Sequence, residues 1–150
     1  MAATDVDRYL KDVTPPVMHV TVQPPNGVLS SLPAFFQAEP PADLQPQPFG
    51  GPQVTETITI TPAHYTWEWG DGTAPLQTDD PGGPYPDGHV THTYDRAAHV
   101  TVALTTEWSA TYTITVAGQT FGPYDATGTV QRTQRIPLVV ARARSHLVSH

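Results

Sequence analysis

From Val100 to Val116 the even positions read Val, Val, Leu, Thr, Trp, Ala, Tyr, Ile and Val. The intervening positions are Ala103, Glu107, Ser109 and otherwise threonine. A strand sends successive side chains to opposite faces, so this pattern predicts an apolar face backed by a threonine face. A single strand of that length would run on the order of 55 Å, about twice the usual length. Two structures accommodate it: a strand bent near 105–109, or a long two-stranded arm projecting from the body. Ala117-Gly118-Gln119 reads as a hairpin tip, with the chain returning through Thr120, Phe121 and Tyr124.

Shorter segments repeat the period of two. Met18, Val20 and Val22 alternate with His19 and Thr21, a first strand stopped by Pro24-Pro25-Asn26-Gly27. Leu29 to Ala38 is apolar but interrupted by Pro33, which predicts an edge strand with a bend. Residues 40–52 hold five prolines and two glycines and read as an extended surface loop. In Val54 to Ile60, Val54, Ile58 and Ile60 face in and the threonines face out. Glu56 occupies the inner parity near the strand's start, within reach of solvent. After a turn at Pro62, Tyr65, Trp67 and Trp69 share one face. Gly70-Asp71-Gly72 then turns the chain sharply, with Asp71 capping backbone amides. Residues 73–88 form a second long loop. A last strand runs from Ile136 and carries Pro137 at an edge or bulge. Residues 5–12 hold one helical turn at most.

Seventeen prolines and eleven glycines among 150 residues fit many turns and few helices. That length suits one domain with a real core. The chain has no cysteine, so disulfides, thiolate metal sites and cysteine nucleophiles are excluded. A net charge of −7 disfavours nucleic acid as a partner. Acidic residues gather in the middle (Glu68, Asp71, Asp79, Asp80, Asp87, Asp95), and Arg132, Arg135, Arg142 and Arg144 near the end. No apolar run is long enough to span a membrane.

Tyr65-Thr66-Trp67-Glu68-Trp69-Gly70-Asp71-Gly72, followed by His92-Thr93-Tyr94 and an alternating strand, resembles the PKD (polycystic kidney disease) domain family. Family members carry Trp-Asp-Phe-Gly-Asp-Gly and then His-x-Tyr. Trp67, Gly70, Asp71, Gly72, His92 and Tyr94 match, and Glu68 and Trp69 are conservative replacements. Arg96-Ala97-Ala98 stands where the family has Pro-Gly. The resemblance covers residues 53–108, with a final strand at 136–143. It implies an all-β, immunoglobulin-like sandwich with N-terminal strands and an extra β-hairpin extension at 109–133. The expected organisation is a flexible segment at 1–16, one domain over 17–144 and a tail at 145–150. The larger layout, with Leu32-Pro33-Ala34-Phe35-Phe36 ahead of the motif, looks like uncharacterised secreted or surface proteins of actinobacteria. The resemblance further implies an extracellular or cell-surface location, with the export signal outside residues 1–150.

Candidate chemistry is sparse. Trp67 reads as core. Trp69, Trp108 and Tyr124 are core or arm residues or, if exposed, a stacking platform for sugars. Asp71 is a turn cap or, with Asp79, Asp80 and Asp87, a calcium ligand, since calcium takes six to eight oxygens. His92 donates a structural hydrogen bond, as the family motif implies, and His89 and His92 fall on opposite strand faces. No serine (Ser30, Ser31, Ser109, Ser145, Ser149) sits in a nucleophile elbow, and no phosphate-binding glycine loop occurs. These observations point to a non-catalytic interaction or spacer module without a cofactor. Its partner is a protein or a cell-surface glycan, and it can self-associate through an edge strand or the hairpin. Tyr112, Ile114 and Val116 would make a bare arm adhesive, so they must fold back or meet a partner. A carbohydrate-binding module and a calcium-stabilised module are the alternatives.

Overall fold

The computed structural model describes residues 9–10, 13–25 and 27–142. The tail at 145–150, with Ser145, His146, Ser149 and His150, lies outside them, as do residues 1–8. The fold is all-β. Among the described residues nine strands follow in order: β1 (His19–Gln23), β2 (Val28–Leu29), β3 (Pro33–Glu39), β4 (Gln47–Gly50), β5 (Val54–Glu68), β6 (Leu76–Thr78), β7 (Thr91–Thr93), β8 (Ala98–Val116) and β9 (Gln119–Ala141). One sheet has the order β1-β3-β7; the other has the order β2-β9-β8-β5-β4, with β6 also on β5. No helix among the described residues is long and apolar enough to cross a membrane.

The long alternating run is one strand of 19 residues, paired with a 23-residue β9. The two-stranded arm is therefore corrected: β8 also pairs with β5, so the hairpin is the continuation of a broader sheet. Its tip lies where expected. Ala117 and Gly118 have φ of 52° and 80°, the pair of positive values that matches the strand twist in a tight hairpin. The hairpin return and the last strand, read as separate, are one strand.

Three other expectations change. Pro62 makes no turn, because β5 runs unbroken through it. Its neighbour on one side is β4 at Thr55–Ile58 and then β6 at Tyr65–Trp67. Pro62 falls in the gap between them, where a missing N–H disrupts no ladder. Residues 40–52 are not all loop, since β4 forms there, and Pro48 is tolerated because β4 ends its sheet. Pro33 opens β3 instead of bending it, and β3 is the central strand of its sheet, bonded to both β1 and β7.

Chain contacts divide into two compact units, and β5, β8 and β9 contribute to both. The first comprises Met1–Val17, Pro40–His64 and Thr106–Arg132. Here Leu10, Ile58 and Ala110 are buried together, flanked by Tyr9, Val13, Phe49, Ile60 and Tyr112. Leu10 lies in the stretch 1–16 expected to be flexible, of which residues 9–10 and 13–16 are described. Arg132 Nη1 also donates to the Pro15 carbonyl at 2.7 Å. Glu56, expected to reach solvent, is buried, whereas Val54 at the strand's start is exposed.

The second unit comprises Met18–Glu39, Tyr65–Thr105 and Thr133–His150. Ala34, Phe36 and Ala38 of β3 are buried, as are Tyr65 and Trp67 of β5 with Trp69 just beyond it, and Val100, Val102 and Leu104 of β8. Phe36 meets Trp67 at 5.4 Å and Trp69 at 4.9 Å between ring centroids, so rings from the two sheets interlock. The Gln134 side chain clamps Met18 from both sides, donating to its carbonyl at 2.9 Å and accepting its amide at 2.8 Å.

Candidate functional site at the Trp-Gly-Asp-Gly turn

A dense cluster of chemistry-bearing side chains lies in the second unit, where β5 ends and β7 begins. Period two puts Tyr65, Trp67 and Trp69 on one buried face, and Trp67 and Trp69 stack at 5.8 Å with planes 6° apart. The chain then turns at Gly70, whose φ is 83°. A Cβ there would strike the Thr101 carbonyl, so the close approach of β8 also demands glycine.

The turn presents Asp71, which accepts from the Thr73 amide at 3.1 Å and from the Thr73 hydroxyl. Its other oxygen lies 2.8 Å from His92 Nε2. The His92 ring is stacked on Trp69 at 4.6 Å and 3°, with Tyr94 edge-on at 4.6 Å. Tyr94 closes the ring of contacts by donating to the Trp69 carbonyl at 2.9 Å. Burial pushes the Asp71 carboxyl up, but the hydrogen bonds from Thr73 and His92 more than offset it and hold it at about 2. Burial, helped by the Asp71 charge, pushes the Tyr94 phenol well up.

Chemically this is a latch. Both Asp71 oxygens, His92 Nε2 and the Tyr94 hydroxyl are committed to partners in the same unit. The residues of the sequence motif (Trp67, Trp69, Gly70, Asp71, Gly72, His92, Tyr94) lie together as one structural group.

The calcium candidates do not converge. Asp71 is bound as described. Asp80 instead caps the next turn, accepting from the Gly82 amide at 2.8 Å and meeting His89 at 3.1 Å. The Gly82 amide, with help from His89 and against a smaller effect of burial, holds the Asp80 carboxyl below its usual value. Asp79 and Asp87 are exposed. Among the described residues no three His, Asp or Glu side chains gather as a metal site. His89 and His92 face different aspartates, Asp80 and Asp71.

The candidate contact residues also separate. Trp69 and Trp108 are buried, which removes both from any sugar-stacking platform. Tyr112 is half-buried beside the Leu10–Ile58 cluster and packs on Tyr124 at 5.5 Å. Ile114 is half-buried, while Val116 and Tyr124 remain 38% and 43% exposed.

Sequence reasoning missed a second surface. The loop expected over 73–88 contains β6 and is fastened along β3: Ala38 donates to the Pro81 carbonyl and Gln37 bridges Gly82. The Tyr85 amide donates to Gln23 Oε1 at 2.8 Å. Its ring stands edge-on to Phe35 at 5.3 Å. Pro24, Leu32, Pro33, Phe35 and Tyr85 thereby line an apolar groove of about 480 Å³. The only local signal was an aromatic residue between prolines at 84–86.

No protein-family model, curated protein or solved structure matches this chain.

Proposed function

We propose that the chain is a non-catalytic, extracellular interaction or spacer module of PKD type, an immunoglobulin-like sandwich in which the motif is framework. The observation that carries this reading is the latch. Asp71 and His92, the pair best suited to acid–base work, are spent on holding a turn against β7, and Tyr94 on holding the end of β5. The His92 ring is itself held in the framework, stacked on Trp69 with Tyr94 edge-on and its side chain 14% exposed. Each unit offers an apolar surface for contact among the described residues, the groove beside Tyr85 in the second and the strip at Val116 and Tyr124 in the first. The interlocked Phe36, Trp67 and Trp69 support the sandwich reading, and the matched motif supports the extracellular one.

A glycan-binding reading keeps one specific observation in its favour. Tyr85 is 68% exposed and offers a ring face beside Gln23, as sugar platforms do. Affinity electrophoresis in gels cast with a panel of polysaccharides separates the two. Unretarded migration in every gel is the result expected of a protein-interaction module; retardation abolished by Tyr85→Ala overturns that reading in favour of a glycan module.

A further inference from the structure

We propose that one end of the first unit, where the β4–β5 and β8–β9 turns meet, inserts Val54, Val116, Phe121 and Tyr124 into the interfacial layer of an uncharged lipid bilayer. This deepens the interaction-module reading and rests on it for that end being a contact surface.

Both turns belong to the first unit. Pro52 and Gln53 of one line a single hollow with Val116, Ala117 and Gly118 of the other, so the turns lie side by side. The parity that is buried at Ile58 and Ala110 continues to this end, where Val54 is 48% and Val116 38% exposed. On the returning strand Phe121 and Tyr124 are 46% and 43% exposed.

Large apolar side chains gathered in one place mark a binding surface. Charge decides its kind. Charged residues make up 14% of the chain, yet 44–55 and 108–124 contain no Asp, Glu, Lys, Arg or His. A charged partner finds nothing here to pair with, and no charge has to shed its water on insertion. Polar groups of the turns are also bonded to one another. The Gly51 amide donates to the Val54 carbonyl at 3.1 Å, and Thr55 Oγ1 donates to the Gly51 carbonyl at 3.0 Å. The Thr115 and Thr120 hydroxyls bond at 2.9 Å. Such pairing lowers the cost of leaving water. The rings of Phe121 and Tyr124 suit the headgroup level, where an amphipathic ring keeps one side wet. A second copy is a poorer occupant. A stable dimer covers about 800 Å² per partner, far more than four half-exposed side chains at a loop end provide. A bilayer asks for no matching shape, and each side chain contributes as it enters.

Flotation of the full chain with phosphatidylcholine vesicles through a density gradient tests this. The expected result is co-flotation that added salt does not weaken, since no cation takes part. Replacing part of the lipid with phosphatidylserine should give no gain, because the chain carries a net charge of −7. Phe121→Asp is expected to lower the bound fraction about tenfold or more. Val54→Asp should do the same, and decides alone if Phe121→Asp unfolds. Val139→Asp, at a 55% exposed valine of the second unit, should leave flotation unchanged. A chain that ignores phosphatidylcholine, one that floats only with phosphatidylserine, or flotation indifferent to both tip variants overturns the proposal. So does flotation lost equally in Val139→Asp. A dimer in sedimentation equilibrium that Phe121→Asp splits, with vesicles ignored, assigns this end to self-association instead. Failure on vesicles leaves the interaction-module reading standing, since the polysaccharide gels test that separately.

Discussion

The two units solve the same problem with different materials. In the second, rings close the core: Phe36, Trp67, Trp69, His92 and Tyr94 touch in sequence, and the turn beyond β5 is locked by hydrogen bonds. In the first, Leu10, Ile58 and Ala110 form a small buried cluster with half-buried side chains packed around it, and Trp108, also fully buried in that unit, stands outside the chain of ring contacts. β8 records the difference along its own length. Its even positions are fully buried from Val100 to Ala110, whereas Tyr112 and Ile114 are only half-buried. A strict period of two fixes which face a residue takes. How deeply that face is covered depends on what the rest of the chain lays over it.

The contrast can be broken most forcefully at Trp67. Trp67→Ala empties the centre of the ring cluster and should cost about 3–5 kcal/mol in chemical denaturation. Ile58→Ala should cost about 2–3 kcal/mol, toward the lower end for such changes, because the sparser core around it can collapse. An Ile58→Ala cost equal to or above that of Trp67→Ala would remove the distinction between the units.

Next in size is the latch's second bond. Tyr94→Phe leaves the Trp69 carbonyl without its donor in a buried place, and a loss of about 1–2 kcal/mol is expected in a thermal melt. Acid should act on the same unit. Asp71 has a folded pKa of about 2 against an ordinary 3.8. Its contribution is therefore full above pH 4 or so and is lost as the pH falls toward 2. Asp80, also lowered, acts in the same direction. Unfolding free energies measured stepwise through that window should decline, and Asp71→Asn should flatten the decline.

The smallest effect has the opposite sign. Thr106 is buried, and its hydroxyl finds no hydrogen-bond partner among the described residues. Thr106→Val keeps the shape, removes the orphan and should raise stability by about 1 kcal/mol.

What the sequence made legible follows from local physics. Alternation places Trp67, Trp69, Val102 and Leu104 inside, and the Ala117-Gly118 tip follows from the end of that alternation beside a glycine. The Asp71 cap needs only its own turn. Proline was the main source of error. Pro62, Pro48 and Pro33 each look like breaks, yet each sits where a missing N–H is harmless, and only the sheet order reveals such places. The long-range ties were invisible for a different reason. Gln134 holds Met18 across 116 positions, and Leu10 joins Ile58 and Ala110 from a segment rich in charge. No periodicity marks a side chain that bonds to a distant backbone. In the candidate site, the motif residues and the His92 bond were readable. The Asp71 partner of that bond, and the groove built by Tyr85 on Phe35, required the fold.

The central claim is that Asp71 and His92 serve as a structural latch. A double-mutant cycle on Asp71→Ala and His92→Ala, read by urea unfolding at neutral pH, tests it most directly. The latch predicts two destabilising single changes and a coupling of about 1–2 kcal/mol between them. Strictly additive effects, or single variants as stable as the parent, would contradict it.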